Sequence, residues 1–138
     1  MFESDEVFSS FSCDDIHAAR EFYSAILGFR ITEHRGMLSL HLGPSRTHLI
    51  YAKADHLPAS YTALNLPVAD VEAAVGELAA RGVMVEKFPG VDDDGIMRQG
   101  GALIAWFKDP AGNIISVIDK RRSAPVRTGI AAGVRVER

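Results

Sequence analysis

Apolar and polar residues alternate from Val7 to Cys13, and this period of two predicts a strand. The period then lengthens. Ile16, Ala19, Phe22, Tyr23, Ile26 and Leu27 recur at helical spacing behind Asp14-Asp15, which suits an N-cap, and Gly28 suits the stop. Three β-rich runs follow: Phe29 to Glu33, Met37 to Leu42 and His48 to Ala52. Arg35-Gly36 and Gly43-Pro44-Ser45 punctuate them. After a polar stretch the order begins again. Tyr61 to Val68 reads as a strand. Asp70 caps a helix with Val71, Ala74, Val75, Leu78 and Ala79 on one stripe, and Gly82 ends it. Val83 to Glu86 reads as a strand, and Pro89 to Gly101 as a long loop. The last two strands, Ala105 to Phe107 and Ile114 to Ile118, flank a turn at Asp109-Pro110-Ala111-Gly112. There Asp109 can accept a backbone N–H two residues on, Pro110 presets φ, and Gly112 supplies a positive φ.

Strand, helix and three strands thus occur twice, with Asp15 and Asp70 at equivalent points, the mark of an internal duplication. The expected organisation is an N-terminal extension over residues 1–6, a first module over 7–53, a linker over 54–60, a second module over 61–119 and a tail over 120–138. One such unit leaves a sheet face bare. The fold class is therefore α+β: two βαβββ modules forming one curved mixed sheet, helices outside and a cleft inside.

Composition narrows the partners. Of 138 residues, 47% are apolar, enough for a core, and no run approaches the ~18 apolar residues of a membrane span. The acidic start, Met1 to Glu6, lacks the pattern of a secretory signal. The single Cys13 cannot pair internally and reads as a small buried hydrophobe, so a cytoplasmic location is expected. Net charge is −3, yet residues 120–138 hold six of the fifteen Lys and Arg and only one of the eighteen acids. The acidic remainder argues against a nucleic-acid partner. The basic tail has three open fates: folding back, lying on a neighbouring subunit, or solvation.

Asp15-Ile16 with Phe22-Tyr23 and Leu27-Gly28-Phe29 resembles the first-module signature of the vicinal oxygen chelate superfamily, the glyoxalase, bleomycin-resistance and extradiol-dioxygenase group. Val68 to Ala74 with Ala80 to Val83 resembles its second module, and Ile104 to Asn113 its final hairpin. The resemblance implies paired βαβββ modules and a homodimer. It also implies metal ligands at four positions: a His seven residues before each module-opening Asp, a Glu on the fourth strand, and a Glu three residues after the turn Asn. Here those positions are Phe8, Ala63, Ile50 and Ser116. A metal site needs about three converging N, O or S ligands. No metal and no cofactor are therefore expected.

The same positions set the parity of the cleft-facing residues. Phe8 brings Ser10 and Ser12, Ala63 brings Tyr61 and Asn65, Ile50 brings His48, and Ser116 brings Ile114 and Ile118. His41 and Ser39 share that face if Leu38, Leu40 and Leu42 form the core row. In relatives an aromatic residue at the position of Trp106 often points at the ligand. The expected binding residues are Phe8, Ser10, His41, His48, Ile50, Tyr61, Asn65, Trp106 and Ser116, suited to a mostly apolar or aromatic small molecule. Blander roles compete: Trp106 as packing, the histidines as strand surface, Phe8 as filler of a vacated metal position. Asp92-Asp93-Asp94 lacks the alternation of an EF-hand and reads as a solvated turn. The loop around it reads as a lid, with Met97 and Arg98 able to reach the cleft. The leading functional reading is a metal-free small-molecule-binding protein. The alternatives are a lyase, isomerase or dioxygenase with a relocated metal site of His41, His48 and an acid, Glu33 being nearby, and an interaction module with a closed cleft.

Overall fold

Asp15 stays extended, and its Oδ1 accepts the backbone N–H groups of His17 and Ala18, each at 3.1 Å. In the computed structural model, which describes residues 1–120, this cap opens helix α1, Ile16–Glu21. The helix continues as a π-helical turn over Phe22–Ile26 that buries both Phe22 and Tyr23. Gly28, at φ +81°, supplies the left-handed residue that ends it. Asp70 caps α2, Val71–Ala80, in the same way, accepting from Ala73 N at 3.0 Å.

The strands are β1 Ser9–Cys13, β2 Ile31–His34, β3 Met37–His41, β4 Thr47–Ala52, β5 Thr62–Val68, β6 Ile96–Met97, β7 Ile104–Lys108 and β8 Ile114–Asp119. They form two four-stranded sheets, ordered β1-β4-β3-β2 and β5-β8-β7-β6. The topology repeats. In each sheet the first strand lies at an edge, parallel to the last, and the remaining pairs are antiparallel. The α+β class and the duplicated strand order are those read from the pattern, with the sheet surface divided between the two halves. No helix among the described residues is long and apolar enough to cross a membrane. The basic tail lies outside the described residues beyond Lys120.

One strand is relocated. The stretch 83–86 joins no ladder, and Glu86 N–H donates to Trp106 O at 2.7 Å as a single bond. The strand beside β7 is instead Ile96–Met97, inside the expected loop. Asp92 builds the turn that delivers it. Its Oδ1 accepts from Asp94 N and Ile96 N, each at 2.9 Å, and Ile96 is buried against Ala105. Arg98 is tied to the turn and to α2. Its guanidinium pairs with Asp92 at 2.6 Å and Glu72 at 2.9 Å, and Arg98 holds the Asp92 carboxyl down at about 2.

Antiparallel partners share a sheet face. Leu38, Leu40 and Ile50 are buried toward α1 with Cys13, and Ala105, Phe107, Ile115 and Val117 belong to the same core with Val71 and Leu78. The two modules meet through this core and through Tyr23, whose hydroxyl donates to Asp109 Oδ2 at 2.7 Å. Three expected placements are corrected here. Ile50 (0% exposed) and His48 (1%) lie on the helix side, because they register with Leu38 and Leu40. Phe8 precedes β1, is 60% exposed and fills no vacated position.

Candidate functional site

Trp106 sits mid-strand on β7, on the face turned away from the helices, opposite Ser116 of β8. Ser116 in turn registers with Asn65 of β5 and donates its hydroxyl to Asn65 Oδ1 at 2.7 Å. The indole Nε1–H donates to Thr62 Oγ1 at 3.0 Å, which fixes the ring plane, and the Phe88 ring lies tilted with its centroid 6.0 Å away. Thr62 reaches this face because of a β-bulge. The ladder pairs Thr62 with Ile114 and Leu64 with Ile115, so the extra residue, Ala63, drops out of the alternation. The result is a recess of about 250 Å³ walled by Trp106, Phe88, Pro89, Ile114, Tyr61 and Thr62, with Ser60 at its edge.

A second cavity, of about 290 Å³, lies at the seam of the two modules and shares Tyr61 and Thr62 with the first. Its walls are mixed: Ser9, Ser10, Ser12, Tyr51, His48, His56 and Asn113 line it together with the apolar Phe11, Leu57, Ala59 and Ala63. His56 is locked between the modules. Its Nε2–H donates to the Ala111 carbonyl at 2.9 Å, since a carbonyl only accepts, and its Nδ1 lies 2.6 Å from Ser12 Oγ. Asn113 Nδ2 adds a bond to Ser12 O at 3.0 Å. His48 Nδ1 lies 2.7 Å from Ser9 Oγ, its ring packs edge-on against Phe11, and its Nε2 is buried with no partner. Burial away from any counter-charge pushes the His48 ring down to about 4, so it is neutral at pH 7.

A third cavity, about 450 Å³, holds His41, Arg46 and Asn65 beside Phe29 and Pro67. The expected residues therefore divide. Trp106 and Tyr61 share the aromatic recess; Ser10, His48 and Tyr61 share the seam; His41 and Asn65 share the third cavity; Ser116 is buried beneath Asn65; Ile50 and Phe8 join none of these. Thr62, Phe88, Tyr51 and His56 are wall residues that strand parity does not find. The bulge hides Thr62, and His48-Leu49-Ile50-Tyr51 offers no clean alternation. Phe88 and His56 lie outside strands, where no periodicity applies.

The residues do not fit a divalent metal centre. Phe8, Ile50, Ala63 and Ser116 offer one hydroxyl among them, and that hydroxyl is spent on Asn65. His41 registers with Thr47 and so faces away from the helices, whereas the adjacent His48 faces them. Glu33 is on the helix side, paired with Arg20 at 2.7 Å. The relocated site of His41, His48 and Glu33 is therefore not assembled. Among the described residues, no group of three or more His, Cys, Asp or Glu side chains converges.

Residues 8–117 match the family model of the Glyoxalase/Bleomycin resistance protein/Dioxygenase superfamily. Among curated proteins none matches the chain. Among solved structures, a glyoxalase family protein from Enterococcus faecalis is 24% identical with a TM-score of 0.62, covering 81% of this chain and 94% of its own. A superfamily member from Sphaerobacter thermophilus DSM 20745 is 22% identical with a TM-score of 0.61, covering 82% and 96%. TnmS3, an antibiotic binding protein from Streptomyces sp. CB03234, is 25% identical with a TM-score of 0.57, covering 82% and 94%.

Proposed function

The chain belongs to the Glyoxalase/Bleomycin resistance protein/Dioxygenase superfamily, and from that premise we propose that it is a metal-free protein that holds an apolar or aromatic small molecule. The recess beside Trp106 carries this reading. A hydrogen-bonded indole, a second aromatic ring at 6.0 Å and the flat side of Pro89 make a wall suited to stacking. Binding of this kind needs shape and a few oriented donors, and no bond-making step. The absence of converging ligands at the four family positions supports the metal-free part. The likeness to an antibiotic binding protein supports a role in binding small molecules.

Trp106 is the sole tryptophan, so its fluorescence reports on the recess directly. Titration with planar aromatic compounds is expected to quench it saturably, and equally before and after dialysis against EDTA. No response across a broad aromatic library would overturn the binding reading. Quenching that EDTA abolishes and added divalent metal restores would replace it with a metal-dependent one.

A further inference from the structure

The aromatic recess and the seam cavity are neighbours with different walls: the recess is mainly aromatic and apolar, while the seam mixes hydroxyls and imidazoles with Phe11, Leu57 and Ala63. Tyr61 and Thr62 line both, so the two cavities share a wall. At about 250 and 290 Å³, each falls below the roughly 300–1,000 Å³ usual for a drug-sized ligand, while the two together fall within it. Ser10 and Ser12 project from β1 on the face that Tyr51 occupies on β4, since Ser12 registers with Tyr51 and Ser10 with Leu49. Ser12 already gives its hydroxyl proton to His56 Nδ1 and can only accept, whereas the Ser10 and Tyr51 hydroxyls can each donate and accept. The seam presents no Asp, Glu, Lys or Arg. Its buried His48 is neutral, and His56 is engaged at both ring nitrogens.

We propose that the seam is the second half of one ligand site, taking a neutral, hydroxyl-bearing substituent of the molecule whose aromatic part lies on Trp106; the ligand class is an aryl glycoside or a similarly polyhydroxylated arene. This rests on the aromatic-recess reading above. Hydroxyl walls exchange hydrogen bonds with ligand hydroxyls in either direction, so such a substituent replaces its water without orphaning a donor or acceptor. An ionised substituent would lose its hydration and meet no counter-charge.

Calorimetry with three probes tests this: naphthol, naphthyl glucoside and naphthyl phosphate. The glucoside is expected to bind about tenfold more tightly than naphthol, as one or two net hydrogen bonds would give. The phosphate is expected to bind no more tightly than naphthol. The glucoside-to-naphthol ratio should fall below about threefold in Tyr51→Phe and in Ser10→Ala, each of which removes one seam hydroxyl. Ser10 is exposed, so its loss threatens folding little. Naphthol binding with no gain for the glucoside, or an equal gain for the phosphate, overturns the bipartite site and leaves the aromatic recess standing. A ratio unmoved in both variants overturns the assignment to the seam. Binding by none of the probes overturns both readings.

Discussion

A histidine buried beside a serine makes the fold sensitive to acid. His48 is held at about 4 in the folded chain, against a value near 6.5 when unfolded. Between those values the unfolded chain takes up a proton that the folded chain refuses, so His48 costs stability as pH falls from about 6.5 toward 4 and costs nothing above. From pH 7 to pH 5 the loss from this one ring is about 2 kcal/mol. Urea unfolding of wild type and His48→Asn at the two pH values is the check. The variant should lose about 2 kcal/mol less than wild type over that interval; parallel losses would assign the acid sensitivity elsewhere. Neither the burial nor the missing partner of Nε2 was legible in the sequence. His48 sits in a run where every residue is tolerable on either face, and only the register with Leu40 decides its side.

At the scale of elements, the second module departs from the first in how it supplies its outermost strand. Ile96–Met97 takes that place because the Asp92 turn carries it there, and Gly95 makes the turn possible. Gly95 has φ +82°, and a Cβ on it would sit 2.4 Å from Val85 Cγ2. Both the backbone and the space exclude a side chain. Gly95→Ala is expected to destabilise the protein by about 2 kcal/mol, and hydrogen exchange should show faster opening at Ile96 and Met97 than elsewhere in that sheet. Unchanged exchange there would mean the strand does not depend on this turn. The helices, by contrast, are legible in their caps and stripes, since N-capping aspartates and 3.6-residue periodicity are local signals that need no partner. The stretch 83–86 reads as a strand and yet joins no ladder, because apolar composition alone does not specify a ladder partner.

At the scale of the whole molecule, the two modules are joined by one buried network. Asp109 Oδ1 accepts the backbone N–H groups of Ala111 and Asn113, and its Oδ2 accepts Tyr23 Oη–H and Asn113 Nδ2–H. Burial next to that carboxylate pushes the Tyr23 phenol up, so it stays a donor throughout the neutral range. Tyr23→Phe removes a bond between a buried hydroxyl and a charged acceptor, and should lower stability by about 1.5–3 kcal/mol. Because the core is continuous across both halves, unfolding should remain a single transition, by fluorescence and by circular dichroism alike; two separated transitions would mean the modules are independent. The sequence by itself determined the duplicated strand and helix order, the capping aspartates, the final turn and the aromatic at 106, because spacing, capping and turn chemistry act within a few residues. Only the tertiary structure decided which side of β4 faces the helices, that a bulge at Ala63 brings Thr62 to Trp106, and that His41 and His48 point apart. Those outcomes depend on cross-strand register, and register is set by partners distant along the chain.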